Sequence, residues 1–219
     1  MPEAPDRVGF IERNTALERP TLIPEIALYL ASEVTPLWQA TEASLATNVM
    51  PPPFWAFAWV GGQSLARYLL DTPEQVAGRS VFDFGAGSGI VAIAAALAGA
   101  TEVTAAEIDP YAAAAIHLNA RRNGVDIAIY PGDPTRADPI AADVVTAGDI
   151  CYEQPMTVRA MAWLRVAAGR GSLVLLGDPG RTYLPHTGLV EVARYSVPTT
   201  RELEDRDVRE GIVYRVLPE

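Results

Sequence analysis

The run Ser80-Val81-Phe82-Asp83-Phe84-Gly85-Ala86-Gly87-Ser88-Gly89 sets a carboxylate and three alternating glycines between a β-branched, apolar stretch and an alanine-rich one. Glycine lets backbone approach a ligand where a Cβ would clash. The N–H groups that open the following helix suit a carboxylate or a phosphate. Asp83 narrows the choice of ligand. A dinucleotide would bring a doubly charged pyrophosphate to this turn, beside a carboxylate that repels it. The spacing G-x-G-x-x-G also fails, because its third glycine falls at Ile90. A nucleoside bearing a cationic amino group and a sulfonium meets the opposite electrostatics. Asp83, Gly85, Gly87 and Gly89 therefore point to a pocket for S-adenosylmethionine. A tight α/β turn alone would show similar glycines, so the residues downstream carry weight.

Glu107 lies 22 residues after Gly85, at the end of a strand-like run, where a second-strand carboxylate binds a ribose diol. Asp109 precedes Pro110 and reads as the N-cap of the next helix. Two further strand ends carry Gly132-Asp133 and Gly148-Asp149. Asp133 is expected to face an adenine amino group, although a turn role before Pro134 would fit as well. The fourth strand end, Gly148-Asp149-Ile150-Cys151-Tyr152, is where an acceptor would meet the methyl group. Methylases of planar nitrogens favour Asn/Asp-Pro-Pro-Tyr there, and the missing prolines argue for a flexible aliphatic amine. Asp149 could accept a hydrogen bond from that amine, and Tyr152 could wall its channel. The alternative is a helix cap at Asp149 with Tyr152 in the core.

These residues need elements to hold them. From Ser80 onward the pattern alternates, with strands expected at 80–84, 101–106, 126–130, 143–147 and 172–177 and helices at 89–98, 110–123 and 153–168. Such alternation demands a mostly parallel sheet with helices on both faces. Val190–Val197 and Ile212–Leu217 read as an antiparallel hairpin at the sheet edge, joined by the charged run 199–211, which is expected to be solvated. Residues 10–49 are read as largely helical, with Pro24-Glu25 opening a segment that Pro36 interrupts. That gives an N-terminal helical extension over 1–50 and one compact unit over 51–219. Between them, Met50-Pro51-Pro52-Pro53 is a stiff link. The aromatic run Phe54–Trp59 with Gly61-Gly62 fits either a core anchor or a lid over a ligand.

Composition bounds the partners. The 219-residue chain is 49% hydrophobic and carries a net charge of −10, which disfavours nucleic acid. Its 17 basic residues are all arginine. Compositional bias explains that, or a lysine-modifying enzyme has shed its own targets. A lone Cys151 excludes an internal disulfide and fits a reducing compartment. No long apolar run reads as membrane-spanning. His117 and His186 have no partners at metal-ligand spacing, so no metal is expected. The N-terminus reads as neither signal nor transit peptide, which sets the expectation of a cytoplasmic, bacterial, monomeric protein.

With these residues in place, the chain resembles the seven-β-strand S-adenosylmethionine-dependent protein methyltransferases. More narrowly, it resembles the lysine methyltransferases of the electron transfer flavoprotein beta subunit. The likeness runs through Asn14-Thr15, Pro24-Glu25-Ile26, Pro53-Phe54-Trp55-Ala56, Trp59-Val60-Gly61-Gly62-Gln63, Arg67–Asp71, the glycine loop, Asp109-Pro110, Gly148-Asp149 with Tyr152, and Tyr195–Pro198. The resemblance implies a Rossmann-like seven-stranded sheet with one antiparallel C-terminal strand. It makes Trp59, Gly85, Gly87, Glu107 and Gly148 contacts of S-adenosylmethionine, with S-adenosylhomocysteine as product. It places Asp149 and Tyr152 on the family's Asp/Glu-x-x-Tyr/Phe lysine-site motif. Related ribosomal-protein methyltransferases share the core, so another protein target, a small molecule, or a non-catalytic adaptor stands as an alternative. A nicotinamide oxidoreductase is disfavoured by Asp83 and Ile90.

Overall fold

Short runs of Val, Ile, Leu and Phe bounded by glycine and polar turns build the centre of the protein. In the computed structural model, which describes residues 6–31 and 52–218, seven strands form one sheet. They are β3 (Ser80–Phe84), β4 (Glu102–Glu107), β5 (Ala128–Pro131), β6 (Val144–Gly148), β7 (Leu173–Asp178), β8 (Leu189–Pro198) and β9 (Val208–Val216). Their order is β5-β4-β3-β6-β7-β9-β8. The first five run parallel, and β9 lies antiparallel to both β7 and β8. The C-terminal hairpin forms as expected, with its second strand slotted inside the sheet and its first at the edge.

Side chains alternate across the sheet and bury both faces. Val81, Val144 and Leu175 pack with α2 (Val60–Asp71), α3 (Ile90–Leu97) and α4 (Pro110–Arg122). Phe82, Phe84, Val145, Val174 and Leu176 pack on the other side with Trp163 and Leu164 of α5 (Gln154–Gly169). Helix α4 starts where the sequence says it should, with Pro110 in its first turn and the Asp109 carboxylate accepting from Tyr111 N–H at 2.8 Å.

The N-terminal segment differs from its helical reading. Only Arg7–Asn14 forms a helix there, α1, among the described residues. Ala16–Glu18 (β1) and Leu28–Leu30 (β2) make a two-stranded antiparallel ribbon, so the segment opened by Pro24 is extended. The reason is a pair of side chains far along the chain. Asn119 Oδ1 accepts from Tyr29 N–H at 2.8 Å, and Asn123 holds both the N–H and the C=O of Ala27. Backbone groups supplied with such partners need no helix. Ile23, Ile26 and Leu28 then enter the same core as α2 and α3. The helix expected through Val34 up to residue 49 and the start of the proline link lie outside the described residues.

Candidate active site at the switch point of the sheet

Between β3 and β6 the strand order reverses, and the connections leave to opposite faces, opening a crevice at the carboxyl ends of the strands. The loop after β3 enters it with Gly85, Gly87 and Gly89 all at positive φ, 65°, 54° and 81°. Each glycine has a different neighbour. A Cβ on Gly89 would meet Ile116 at 3.2 Å, and one on Gly85 would touch Ile150 at 3.4 Å, whereas one on Gly87 would meet nothing within 4 Å. Gly87 therefore turns a bare backbone face to open space.

Glu107, at the end of β4, fixes that loop. Its Oε2 accepts from Gly87 N–H at 2.9 Å, and its Oε1 from Ile108 and Asp109 N–H at 2.7 and 3.1 Å. A carboxylate offers about four acceptor directions, so Oε2 has room for one more donor. Asp133 follows β5 and caps the turn 134–136 through Thr135 N–H and Oγ1 at 2.9 and 2.6 Å. Burial pushes its pKa up, but the Thr135 bonds and the nearby Arg136 and Arg159 outweigh this and hold it below the usual carboxylate range. Gly132 N–H donates to Glu107 C=O at 3.3 Å, which brings the two strand ends side by side.

Asp83 sits behind the loop, only 1% exposed. Its oxygens accept from Thr146 Oγ1 at 2.8 Å and Ala92 N–H at 3.1 Å, bracing β3 against β6 and α3. Burial raises its pKa to about 7. The electrostatic argument from the sequence assumed a carboxylate facing the ligand; the side chain instead faces inward.

Asp149 is a rarer case: a non-glycine residue at φ 55°. That conformation costs an L-residue about 1 kcal/mol. The chain keeps a side chain here because both oxygens are used. Oδ2 accepts from Gly62 N–H at 2.8 Å, in the first turn of α2, and Oδ1 takes Arg181 Nη2 at 2.8 Å. Burial raises Asp149 to about 6 despite Arg181. Helix α2 comes this close because its neighbours lack Cβ atoms: one on Gly148 would meet Gly62 Cα at 3.0 Å, and one on Gly61 would strike the Gly177 carbonyl. Gly61-Gly62 thus pack the start of α2 onto the strand ends.

Tyr152 is 47% exposed, its ring 5.4 Å from Phe54, which in turn lies 6.1 Å from Trp59. Trp59 donates Nε1–H to Phe54 C=O at 2.8 Å, and Arg181 lies over its ring at 5.4 Å. Burial first, then the charges of Glu153 and Glu107, raise the Tyr152 pKa. Trp55, by contrast, is a core anchor with Ile11, Phe57, Tyr111 and Ala115.

Sequence reasoning missed Arg181 and Glu204. Arg181 bridges Asp149 to Glu204, which is buried on the short helix α6 (Arg201–Glu204) and paired with Arg209 at 2.6 Å. The 199–211 run is thus partly built into the site and is not wholly solvated. The one legible signal was a charge just past a strand end, Asp178-Pro179-Gly180-Arg181.

Residues 63–151 match the family described as ribosomal protein L11 methyltransferase (PrmA). The electron transfer flavoprotein beta subunit lysine methyltransferase of rat is 33% identical over 96% of this chain and 84% of its own length. The human protein of that name is 34% identical over 98% and 83%. The chain belongs to this family of lysine methyltransferases. It is an enzyme, a protein-lysine N-methyltransferase that uses S-adenosylmethionine. A ribosomal protein L11 methyltransferase from Azotobacter vinelandii is 35% identical over 77% of this chain and 58% of its own length. Among solved structures, the L11 methylase of Lactobacillus delbrueckii (TM-score 0.51, 22% identity, 72% and 78% covered) shares the fold. So does a magnesium protoporphyrin IX methyltransferase from Synechocystis with bound S-adenosylmethionine (TM-score 0.51, 17% identity, 69% and 76% covered).

One expectation is overturned. The flavoprotein-methyltransferase relatives come from rat, mouse, zebrafish, human, frog and worm, so the reading of this chain as a bacterial cytoplasmic protein does not stand. The crevice itself fits the methyl donor: Gly87 presents open backbone, and Glu107 keeps an acceptor direction beside it.

Proposed function

We propose that this lysine methyltransferase acts on lysine side chains of the electron transfer flavoprotein beta subunit. The observation that carries this reading is the likeness, over nearly all of this chain, to relatives of that name, joined to the aromatic group Phe54, Trp59 and Tyr152. S-adenosylmethionine supplies an electrophilic methyl group on a sulfonium. Gly85, Gly87 and Gly89 would hold its amino-acid end, Glu107 its ribose diol and Asp133 its adenine. Trp59 and Gly148 would line its reactive end, while Asp83 supports the loop from behind. Helix α1 and the β1–β2 ribbon form the described part of the N-terminal extension over 1–50, with 51–219 as the methyltransferase domain.

Asp149 and Tyr152 are the acceptor-site residues of this reading. A lysine amine has a pKa near 10.4, so roughly one in a thousand is neutral at pH 7.4. Asp149 Oδ1 takes two bonds from Arg181 and Oδ2 one from Gly62 N–H, which makes Asp149 a fixed support and a poor general base. Tyr152 and Phe54 exclude water and align the aliphatic stem. Positioning in a dry channel then supplies most of the rate, and the proton leaves through solvent. The net charge of −10 supports a protein substrate over a polyanion.

Intact mass of purified flavoprotein beta subunit after incubation with enzyme and S-adenosylmethionine tests the reading. Increments of one methyl, placed on lysine by fragmentation, support it. An unmodified subunit beside a methylated ribosomal protein L11 would replace the target, in line with the matched L11 family.

A further inference from the structure

Arg181 is the cation that two buried carboxylates, Asp149 and Glu204, share. Its Nη2 and Nε reach Asp149 Oδ1 at 2.8 and 3.2 Å. Nη2 and Nη1 reach Glu204 Oε1 and Oε2 at 2.7 and 3.2 Å, and the guanidinium lies 5.4 Å over Trp59. The charged groups around it come from every neighbouring element: Asp149 after β6, Asp178 ending β7 with Cys151 beside it, Glu204 on α6, and Arg209 on β9. On the Tyr152 side, the charges of Glu153 and Glu107 act on its hydroxyl.

We propose that Arg181 is a positioning residue for methyl transfer, holding Asp149 in an ion pair so that the incoming lysine amine stays uncharged. The proposal rests on the lysine-methyltransferase reading of the site. Transfer needs the nitrogen lone pair: it forms the N–C bond as the C–S bond breaks, the bonding pair stays on sulfur as a neutral thioether, and the methylammonium loses its proton to water. A buried carboxylate with a free oxygen would attract and stabilise the ammonium form, which has no lone pair. Arg181 occupies that oxygen and adds a positive field of the opposite sign. Only a planar fork addresses Asp149 and Glu204 together. A lysine here would itself be a nucleophile, and the chain contains none.

The test is the pH dependence of kcat and KM from pH 6 to 10 for wild type, Arg181→Gln, Arg181→Lys and Glu204→Gln. Each enzyme is assayed on flavoprotein beta subunit and, in parallel, on a lysine-rich histone mixture. Removing one charge from a partly buried site moves the ascending limb of kcat upward by about one pH unit. Arg181→Gln therefore loses roughly tenfold in kcat at pH 7, closes on wild type toward the top of the pH range, and shows no rise in KM. Arg181→Lys, which keeps the charge but loses the fork, moves the limb less than Arg181→Gln does, and Glu204→Gln moves it down. An Arg181→Gln loss equal at every pH makes the residue merely structural and overturns the proposal. If that variant fails to fold, an unmoved limb in Glu204→Gln overturns it. Wild-type turnover of histone alone removes the flavoprotein target and leaves this comparison intact; turnover of neither substrate removes both.

Discussion

Gly87 and Gly89 are two residues apart, share a left-handed backbone, and should separate ligand binding from stability. An alanine at either position carries a left-handed cost of about 1–2 kcal/mol. For a chain of this size each kcal/mol lowers Tm by about 2–4 °C, so Gly87→Ala should lose roughly 2–8 °C. At Gly89 the new methyl also meets Ile116 Cγ1 and Cγ2 at 3.2 Å in a fully packed core. Overpacking there adds about 1–2 kcal/mol, bringing the loss to roughly 4–16 °C. Affinity should follow the reverse order. The Gly87 methyl projects into the open crevice and should weaken S-adenosylhomocysteine binding at least about tenfold, as the loss of close backbone approach implies. Gly89→Ala, its methyl turned toward α4, should stay within about threefold when measured well below its Tm. Thermal unfolding and titration calorimetry give both quantities. Wild-type affinity in Gly87→Ala would refute the placement of the donor against that backbone face.

Stability should fall as pH rises from 5 to 8. Burial raises Asp83 to about 7 and Asp109 and Asp149 to about 6, above the ordinary 3.8, so the folded state holds protons that the unfolded chain releases. Their stabilising contribution is full below the unfolded value and is lost through pH 6 to 7; a Tm flat across this window contradicts the assignment, and Asp83→Asn should flatten its upper half. Tyr152→Ala should leave Tm within about 1 °C, as an exposed ring does, while cutting kcat/KM for the protein substrate, and Tyr152→Phe should restore it. Equal activity in all three would remove Tyr152 from the acceptor site. Asn119→Ala strands Tyr29 N–H and Ser88 C=O at once and should cost about 2–4 kcal/mol in urea unfolding. A loss under about 0.5 kcal/mol would mean the N-terminal ribbon docks without it.

The parallel half of the sheet was legible because its strands are short, mostly apolar runs with Asp83, Glu107, Asp133 and Asp149 at or near the ends of four of them. Observed boundaries differ from expectation by a residue or two, as in 102–107 against 101–106. The ribbon at 16–18 and 28–30 was not legible, since its stabilising partners, Asn119 on α4 and Asn123 just after it, lie 90 or more residues away. Periodicity has no access to such partners. Asp83 was assigned the wrong direction: sequence places it near the strand end, and only the register Asp83–Thr146 shows the carboxylate pointing inward. The run with Gly61-Gly62 fitted a core anchor and a lid equally, since a glycine pair beside aromatics does not show in sequence which backbone it will pack against. Glu204 carried no signal, being one acid among many in a charged run and buried only because Arg181 and Arg209 meet it there.

The central claim is that the glycine loop and Glu107 together hold S-adenosylmethionine next to the Asp149–Tyr152 acceptor site. Titration calorimetry of S-adenosylmethionine into wild type and Glu107→Ala addresses it most directly. One-to-one binding to wild type, weakened at least about tenfold by loss of the charged hydrogen bonds, is the predicted result. Equal affinity in the two proteins, or no binding to wild type, would contradict the account.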